Sequence, residues 1–241
     1  MKISTSNSFF GTSDISVSGT IIDGDGTDLT DPDFSFKVIF GGSSGQIDVA
    51  NNGSFSDYLA VHGIYTPNFG TYRAMVYDGA TLVFDEVTSA NSLFIPRGSS
   101  SDTWRVEFSE YIGSISVAYV AAGFSTDVPR MGIRGNQLMP YDGLNLEAAF
   151  RVNQLAQPTN VVYKNKSPRV SLRVPDSPTE WTKGDFQSIL NLYKLTGVIS
   201  VLDFDDDSKT ASAGYDISAQ VRTHPSTLLV QNVQLTYSVA Q

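Results

Sequence analysis

The stretch that decides the fold is residues 72–84, Tyr-Arg-Ala-Met-Val-Tyr-Asp-Gly-Ala-Thr-Leu-Val-Phe. Apolar residues occupy every second position on either side of Asp78-Gly79: Tyr72, Ala74 and Val76 before it, and Leu82 and Phe84 after it. A period of two indicates a strand with one buried face, and Asp-Gly between two such runs indicates a tight turn. These residues therefore predict a β-hairpin.

The same alternation recurs through the first half of the chain. It appears at Ile15–Ile21, Phe34–Val38, Ile47–Val49, Trp104–Phe108 and Ile115–Tyr119. Asn51-Asn52-Gly53 follows one of these runs and precedes Phe55, which predicts a second hairpin. Roughly eight short strands at this spacing are typical of a β-sandwich.

The second half of the chain adds one helix to its strand signals. Thr182 and Asp185 resemble a capping box, and Gly197 suits the left-handed position after a helix end. Between them, four apolar residues occur at the i, i+3, i+4, i+7 spacing of one helix face: Phe186, Ile189, Leu190 and Tyr193. This pattern predicts a helix at about residues 185–196, between strands at 146–174 and 198–239.

Charge divides the chain into two parts. Residues 1–122 have fourteen acidic and five basic residues, whereas residues 123–241 have eleven of each. We therefore predict an all-β protein with two β-sandwich domains, the second with one flanking α-helix. Residues 1–122 form an acidic immunoglobulin-like or similar sandwich, residues 123–145 an irregular linker or arm, and residues 146–241 the second sandwich.

Composition excludes several functions. The pI near 4.6 argues against sequence-specific binding of nucleic acid and against docking on an anionic membrane. The absence of cysteine excludes disulfides and thiolate chemistry. The first residues have no long apolar run, which predicts synthesis in a cytoplasm without a secretory signal. We expect no cofactor, since neither a phosphate-binding loop nor a dinucleotide fingerprint is present.

Two acidic segments are candidate metal or acid sites. Asp23, Asp25 and Asp28 lie in a short Gly-containing loop that offers the oxygen ligands of calcium, but Asp28 stands where an EF-hand requires glycine. Residues 203, 205 and 207 are aspartates spaced to share one face of a strand end. Both segments are also explained as solvated turns.

The histidines and aromatic residues give less specific indications of function than the acidic segments. The chain has only His62 and His224, each beside turn residues, and we predict that both are exposed in loops without a catalytic role. A group of aromatic residues surrounds the loop Thr66-Pro67-Asn68: Tyr58, Tyr65, Phe69, Tyr72 and Tyr77. Such residues form either a core or an exposed platform for sugars or proteins, and alternation places about half of them in the core.

One group of basic residues is concentrated in the second half. We name Lys164, Lys166, Arg169 and Arg173 the basic cluster. In so acidic a chain, we expect it to contact an acidic surface of another copy or of another protein. The alternative is an ordinary polar strand edge, on which lysine prevents edge-to-edge pairing.

The order of elements around Thr182–Gly197, a sandwich with one helix, resembles bacteriophage virion proteins of the tail, neck or cement type. That resemblance implies a non-enzymatic structural protein of the virion, assembled in the host cytoplasm with copies of itself and other virion proteins. Self-association would use the second half, and the acidic first half would be presented outward. One alternative is a glycan-binding surface or fibre module, which an exposed Tyr or Trp shelf with nearby Asn and Asp would favour. The other is a glycan hydrolase, which two carboxylates in a cleft would favour.

Overall fold

The computed structural model describes residues 2–5, 14–50, 56–67, 70–96, 103–129, 146–152, 158–165, 169–202, 211–223 and 230–239. The protein has an all-β, sandwich-type fold with one helical segment, as the sequence predicts. In chain order the strands are β1 (Lys2–Ser4), β2 (Ile15–Asp23), β3 (Val38–Ala50), β4 (Tyr58–His62), β5 (Tyr72–Asp78), β6 (Thr81–Thr88), β7 (Ser92–Pro96), β8 (Thr103–Ser109), β9 (Ser114–Val117), β10 (Tyr119–Gly123), β11 (Thr126–Asp127), β12 (Leu146–Val152), β13 (Pro158–Asn165), β14 (Arg169–Pro178), β15 (Ile199–Leu202), β16 (Ala211–Thr223) and β17 (Val230–Val239).

Two sheets form the sandwich of the first half. The first sheet has the order β2-β3-β8-β5-β6, with β9 also paired to β3, and the second has the order β10-β4-β7. Every pairing is antiparallel. Alternate residues of both sheets meet in one core that includes Phe40, Trp104 and Phe108, all buried. Burial of such large side chains is the main stabilising contribution to the sandwich.

The second sheet is buried on both faces. Leu59, Val61 and Ile95 point into the core shared with the first sheet. On the opposite face, alternate residues of the same strands pack against Val198 and Leu202 of the second half. This explains why β4, β7 and β10 read as short, nearly continuous apolar runs rather than as alternating ones.

The third sheet has the order β11-β1-β15-β16-β17-β14, and β12 pairs with β13 in a separate hairpin. The N-terminal strand β1 lies between β11 and β15. Ile3 of β1 is buried in the core beneath the helical segment, together with Ile199 and Val201. Residues at the two ends of the chain therefore build one core.

The helical segment begins earlier than the sequence predicts. It comprises α1 (Thr179–Trp181), a π-helical turn (Thr182–Phe186) and α2 (Gln187–Thr196). The capping-box prediction is wrong, because Thr182 lies inside the segment and its hydroxyl donates to the Pro178 carbonyl oxygen at 3.1 Å. Gly197 has φ +71°, and its N–H donates to the Tyr193 carbonyl oxygen at 2.8 Å, which confirms the predicted helix end.

The predicted helix face is confirmed. Phe186 and Ile189 are buried against the third sheet, and Leu190 is half-buried against the same core. Tyr193 is also half-buried, and its hydroxyl lies 3.4 Å from the backbone nitrogen of Ile217 in β16. Among the described residues, no helix is both long and apolar enough to cross a lipid bilayer.

The turn predictions have mixed outcomes. The hairpin at Asp78-Gly79 is confirmed by the antiparallel pair β5 and β6. The hairpin predicted at Asn51-Asn52-Gly53 is wrong, because the flanking strands β3 and β4 belong to different sheets, and the turn itself lies outside the described residues. The run Ile115–Tyr119 is divided between β9 and β10, which also lie in different sheets.

The two halves of the chain are in direct contact. The N-terminal strand lies in the third sheet, and Ser4 donates a hydrogen bond to the Phe124 carbonyl oxygen at 2.7 Å. Thr5 donates to the Ile189 carbonyl oxygen, and Thr196 donates back to the Thr5 carbonyl oxygen at 2.9 Å. The division into residues 1–122 and 146–241 stays a prediction, and these contacts link its two parts.

Candidate functional site

A pocket of about 830 Å³ opens at one end of the first sandwich. It lies where β4 ends and where β5, β7 and β10 begin. Its lining comes from the loops before β3, after β4 and after β6, from the start of β5, and from β9 and the residue that follows it: Phe34, Lys37, Gly63, Ile64, Tyr65, Thr66, Tyr72, Ser89, Ala90, Asn91, Ser116 and Ala118. Its volume falls in the range of about 300–1,000 Å³ that small-molecule sites occupy.

Backbone hydrogen bonds hold the loop after β4 against its neighbours. The Tyr65 N–H donates to the Ser116 carbonyl oxygen at 3.0 Å, and the Ser116 N–H donates to the Tyr65 carbonyl oxygen at 2.9 Å. Next to it, the Ile64 N–H donates to the Asn91 carbonyl oxygen at 3.0 Å. This reciprocal pairing fixes the backbone of Tyr65 as firmly as a strand residue, while its side chain is 51% exposed at the pocket.

Gly63 allows the chain to turn into the pocket. Its φ of +67° is a left-handed conformation, and a Cβ there would lie 2.6 Å from the Cβ of Ala118. The ring of Phe34 is also close, with Cδ1 3.4 Å from that position. Any side chain at residue 63 would therefore displace the wall of the pocket that Ala118 and Phe34 form.

The remaining walls are aromatic. The Tyr72 hydroxyl donates to the Ala90 carbonyl oxygen at 2.5 Å, which ties the start of β5 to the loop after β6. Burial raises the pKa of Tyr72, so this phenol stays a neutral donor. Phe34 stacks on Tyr119 with ring centroids 5.6 Å apart, which anchors the opposite wall to the second sheet.

Three polar side chains at the pocket are exposed: Lys37, Ser89 and Asn91. None of these side chains makes a hydrogen bond or ion pair with another residue that the structure describes. Thr66 differs, because its hydroxyl donates to the Gly70 carbonyl oxygen at 2.6 Å. The described lining contains no carboxylate. The pocket therefore combines aromatic walls with available donors and acceptors, and it lacks an acid–base pair among those residues.

The acidic loop after β2 does not gather its carboxylates around a common point. Asp25 accepts from the N–H and the hydroxyl of Thr27 at 2.7 and 2.6 Å, and these bonds lower its pKa. Asp28 accepts from the Asp25 N–H, and Asp23 from the Gly24 N–H. Within the described ranges, no three acidic or histidine side chains are grouped to hold a metal ion. The calcium hypothesis for Asp23, Asp25 and Asp28 stays a prediction without geometric support.

The prediction of an exposed His62 is wrong. His62 ends β4 on the face that meets the second half, and its side chain is fully buried. Its Nε2 lies 2.9 Å from the Ser200 hydroxyl of β15, and its ring is roughly parallel to that of Tyr119 at 6.4 Å. Burial lowers the pKa of His62 to about 3. His224 lies outside the described residues.

The aromatic group divides as alternation predicts. Tyr58 and Tyr72 are buried, and Tyr58 stacks on Phe94 with ring centroids 4.8 Å apart. Tyr77 faces outward beneath the Arg105 guanidinium, and Tyr65 is exposed at the pocket. Phe69 is outside the described residues. Of the four members that the structure describes, Tyr65 and Tyr72 line the pocket.

The remaining predicted sites are described only in part. Lys164 lies in β13, and Arg169 and Arg173 lie in β14, the edge strand of the third sheet as described. Lys166 and the aspartates at 203, 205 and 207 lie outside the described residues. The interface assigned to the basic cluster stays a prediction.

No protein-family model and no curated protein matches this chain. Part of it is similar to solved structures. A Ruminococcus gnavus GH29 fucosidase in complex with fucose matches at 13% identity and a TM-score of 0.40, over 51% of this chain and 27% of that one. The Clostridium perfringens module CpGH89CBM32-4 matches at 18% identity and a TM-score of 0.38, over 49% of this chain and 98% of that one. A Streptococcus pneumoniae fucose binding module matches at 15% identity and a TM-score of 0.36, over 48% of this chain and 96% of that one. At these values the similarity assigns neither a family nor a ligand.

Sequence reasoning missed most of the pocket. Lys37 stands in the loop before β3, whereas Ser89 and Asn91 stand in the loop after β6, and the three form no motif along the chain. The available signal was Gly63 and Pro67 around an aromatic residue, which marks a constrained loop. The sequence alone did not show that this loop faces the one after β6.

Proposed function

We propose that this protein is a non-catalytic glycan-binding protein and that the pocket beside Tyr65 holds a sugar. The observation that carries the proposal is the exposed ring of Tyr65, fixed by its backbone pairing with Ser116, beside the side chains of Asn91 and Ser89. The exposed tyrosine and the nearby asparagine are two of the three features expected of a glycan binder, and the third, an aspartate, is absent from the described lining.

The chemistry of a sugar suits these groups. The C–H groups on one face of a pyranose ring are apolar and weakly positive, so they pack on the electron-rich face of an aromatic ring. The hydroxyls around the ring edge both donate and accept. The Asn91 amide offers both kinds of group, and the Ser89 hydroxyl adds another of each. A sugar can therefore satisfy the polar rim and the aromatic wall together.

Binding rather than hydrolysis is proposed because of the lining. Glycoside hydrolysis ordinarily needs two carboxyl groups on either side of the scissile bond. The described lining supplies none. The virion role that the resemblance implies stays a prediction, and it does not conflict with a sugar site.

The test is a glycan array followed by isothermal titration calorimetry with the sugars that bind. Tyr65→Ala should weaken binding by about tenfold or more, because it removes the stacking surface. Tyr65→Trp should retain binding. Phe124→Ala is the matched control, since Phe124 is 64% exposed but does not line the pocket. Equal affinities for the wild type and Tyr65→Ala would refute the proposed site.

A further inference from the structure

Lys37 is the only charged residue of the described pocket lining. Its side chain is exposed at the point where the chain enters β3. It makes no ion pair with any residue of the described ranges. The lining of the proposed sugar site therefore includes a lysine that has no counter-charge among the described residues.

This isolation is unusual within the acidic half of the chain. Lys2 lies 3.5 Å from Asp127, and Arg73 contacts Asp85 at 2.7 Å. Arg105 contacts Asp48 at 3.1 Å. These three and Lys37 are the described basic residues of residues 1–122, where acids outnumber bases fourteen to five. With so many acids available, a lysine without a partner needs an explanation.

The nearest acids in sequence make hydrogen bonds within their own loop. Asp31 Oδ1 accepts from the Asp33 N–H at 2.8 Å, and Asp33 Oδ1 accepts from the Ser35 N–H at 2.9 Å. The hydrogen bond from the Ser35 N–H lowers the pKa of Asp33, because it stabilises the ionised carboxylate. Each carboxylate therefore has a hydrogen-bond partner in the loop, and neither forms an ion pair with Lys37.

We infer that the glycan bound in this pocket carries an anionic group, a carboxylate or a sulfate, that pairs with Lys37. This inference rests on the proposed function and names its ligand class. An ammonium interacts more strongly with an anion than with a neutral hydroxyl, because the opposite charge adds Coulombic attraction to the hydrogen bond. The acidic surface of the same half repels anions at long range, but salt reduces that repulsion beyond about 10 Å at 0.1 M ionic strength. The short contact with Lys37 therefore decides between charged and neutral sugars.

The experiment compares matched sugars by titration calorimetry. The pairs are D-galacturonate with D-galactose, D-glucuronate with D-glucose, and galactose 6-sulfate with galactose. At least one acid should bind about tenfold tighter than its neutral partner, and added salt should reduce that preference. The sulfate arm distinguishes a sulfated from a carboxylated ligand.

Variants assign the preference to one side chain. Lys37→Gln should abolish the preference for the acidic sugar, and Lys37→Arg should preserve it. Lys183→Gln is the matched control, because Lys183 is an exposed lysine of the helical segment that does not line the pocket. The Lys183→Gln variant should leave the preference for the acidic sugar unchanged.

The two proposals fail differently. If neutral and acidic sugars bind equally and Tyr65→Ala weakens both, the anionic ligand is refuted and the glycan site remains. If acids bind tighter but Lys37→Gln keeps the preference, the assignment to Lys37 is refuted. If no sugar binds, or if Tyr65→Ala has no effect on any of them, the glycan site fails and the anionic ligand fails with it.

Discussion

Acidification from pH 7 to pH 5 should destabilise this protein through His62. The side chain is fully buried, and one ring nitrogen, Nδ1, has no hydrogen-bond partner among the described residues. The other nitrogen lies 2.9 Å from Ser200, and the ring packs beside Tyr119. Burial penalises the charged imidazolium and lowers the pKa of His62 to about 3. In the charged form, the Nδ1–H would also lack an acceptor among the described residues.

The direction in which stability changes with pH follows from the linkage between proton binding and folding. The folded pKa of His62 lies below the ordinary value of 6.5, so the unfolded chain binds the proton more tightly. Stability is therefore complete above pH 6.5 and falls as the pH decreases toward 3. Each pH unit in this window costs up to about 1.4 kcal/mol, so His62 should cost about 2 kcal/mol at pH 5. For a chain of this size, that corresponds to a decrease in Tm of roughly 4–8 °C.

The assay is urea unfolding at a series of pH values for the wild type and for His62→Gln. The glutamine amide keeps a polar group near Ser200 but does not titrate, and the carboxylates contribute equally to both proteins. The difference between the two unfolding free energies should therefore change by about 2 kcal/mol between pH 7 and pH 5. If the unfolding free energies of the two proteins change in parallel with pH, the reasoning is refuted. NMR provides an independent test, since a His62 resonance that titrates near pH 6.5 would also contradict it.

Three further predictions concern packing and assembly. Ile189→Ala should lower the free energy of unfolding by about 2–5 kcal/mol, whereas half-buried Leu190→Ala should cost less; urea unfolding at neutral pH ranks the two. Gly63→Ala should abolish sugar binding measured by calorimetry, because its Cβ would collide with Ala118; unchanged affinity would show that the wall can move. Reversal of three charges of the basic cluster, Lys164, Lys166 and Arg169, to Glu should weaken self-association in sedimentation velocity, and a normal oligomer would exclude that interface.

The hairpin at Asp78-Gly79 and the apolar face of the helix were accessible from the sequence because their signals are local. Tyr72 and Phe84 alternate on either side of one turn, and Ile189 recurs with a helical period. Sheet membership was not accessible, because it depends on which distant strands share a core. Residues 115–119 alternate like one strand, yet the chain changes sheets within that run at Ala118, which belongs to neither strand. A period of two shows which side chains share a face, but it does not show which partner that face meets.

His62 was misjudged for a related reason. Its neighbour Gly63 indicates a turn, and a histidine beside a turn is ordinarily exposed. In the fold, β4 is the central strand of a sheet that is covered on both faces, so even its last residue is buried. The covering layer includes Val198 and Leu202, which lie more than a hundred residues away in sequence. Single-sequence patterns therefore miss burial that a distant segment supplies.

The charge division and the fold describe different boundaries. Charge separates residues 1–122 from the rest, but β1 pairs with β15, and Ile3 is 1% exposed in the core beneath the helix. The Thr5 hydroxyl donates a hydrogen bond to the Ile189 carbonyl oxygen of the helix, and the Thr5 carbonyl oxygen accepts one from the Thr196 hydroxyl. Removal of residues 1–122 would therefore take an inner strand from the third sheet and open a cavity beneath the helix, which costs several kcal/mol. A separable second half must retain residues 2–5, so the acidic surface is better understood as a charged part of a connected fold than as an appended unit.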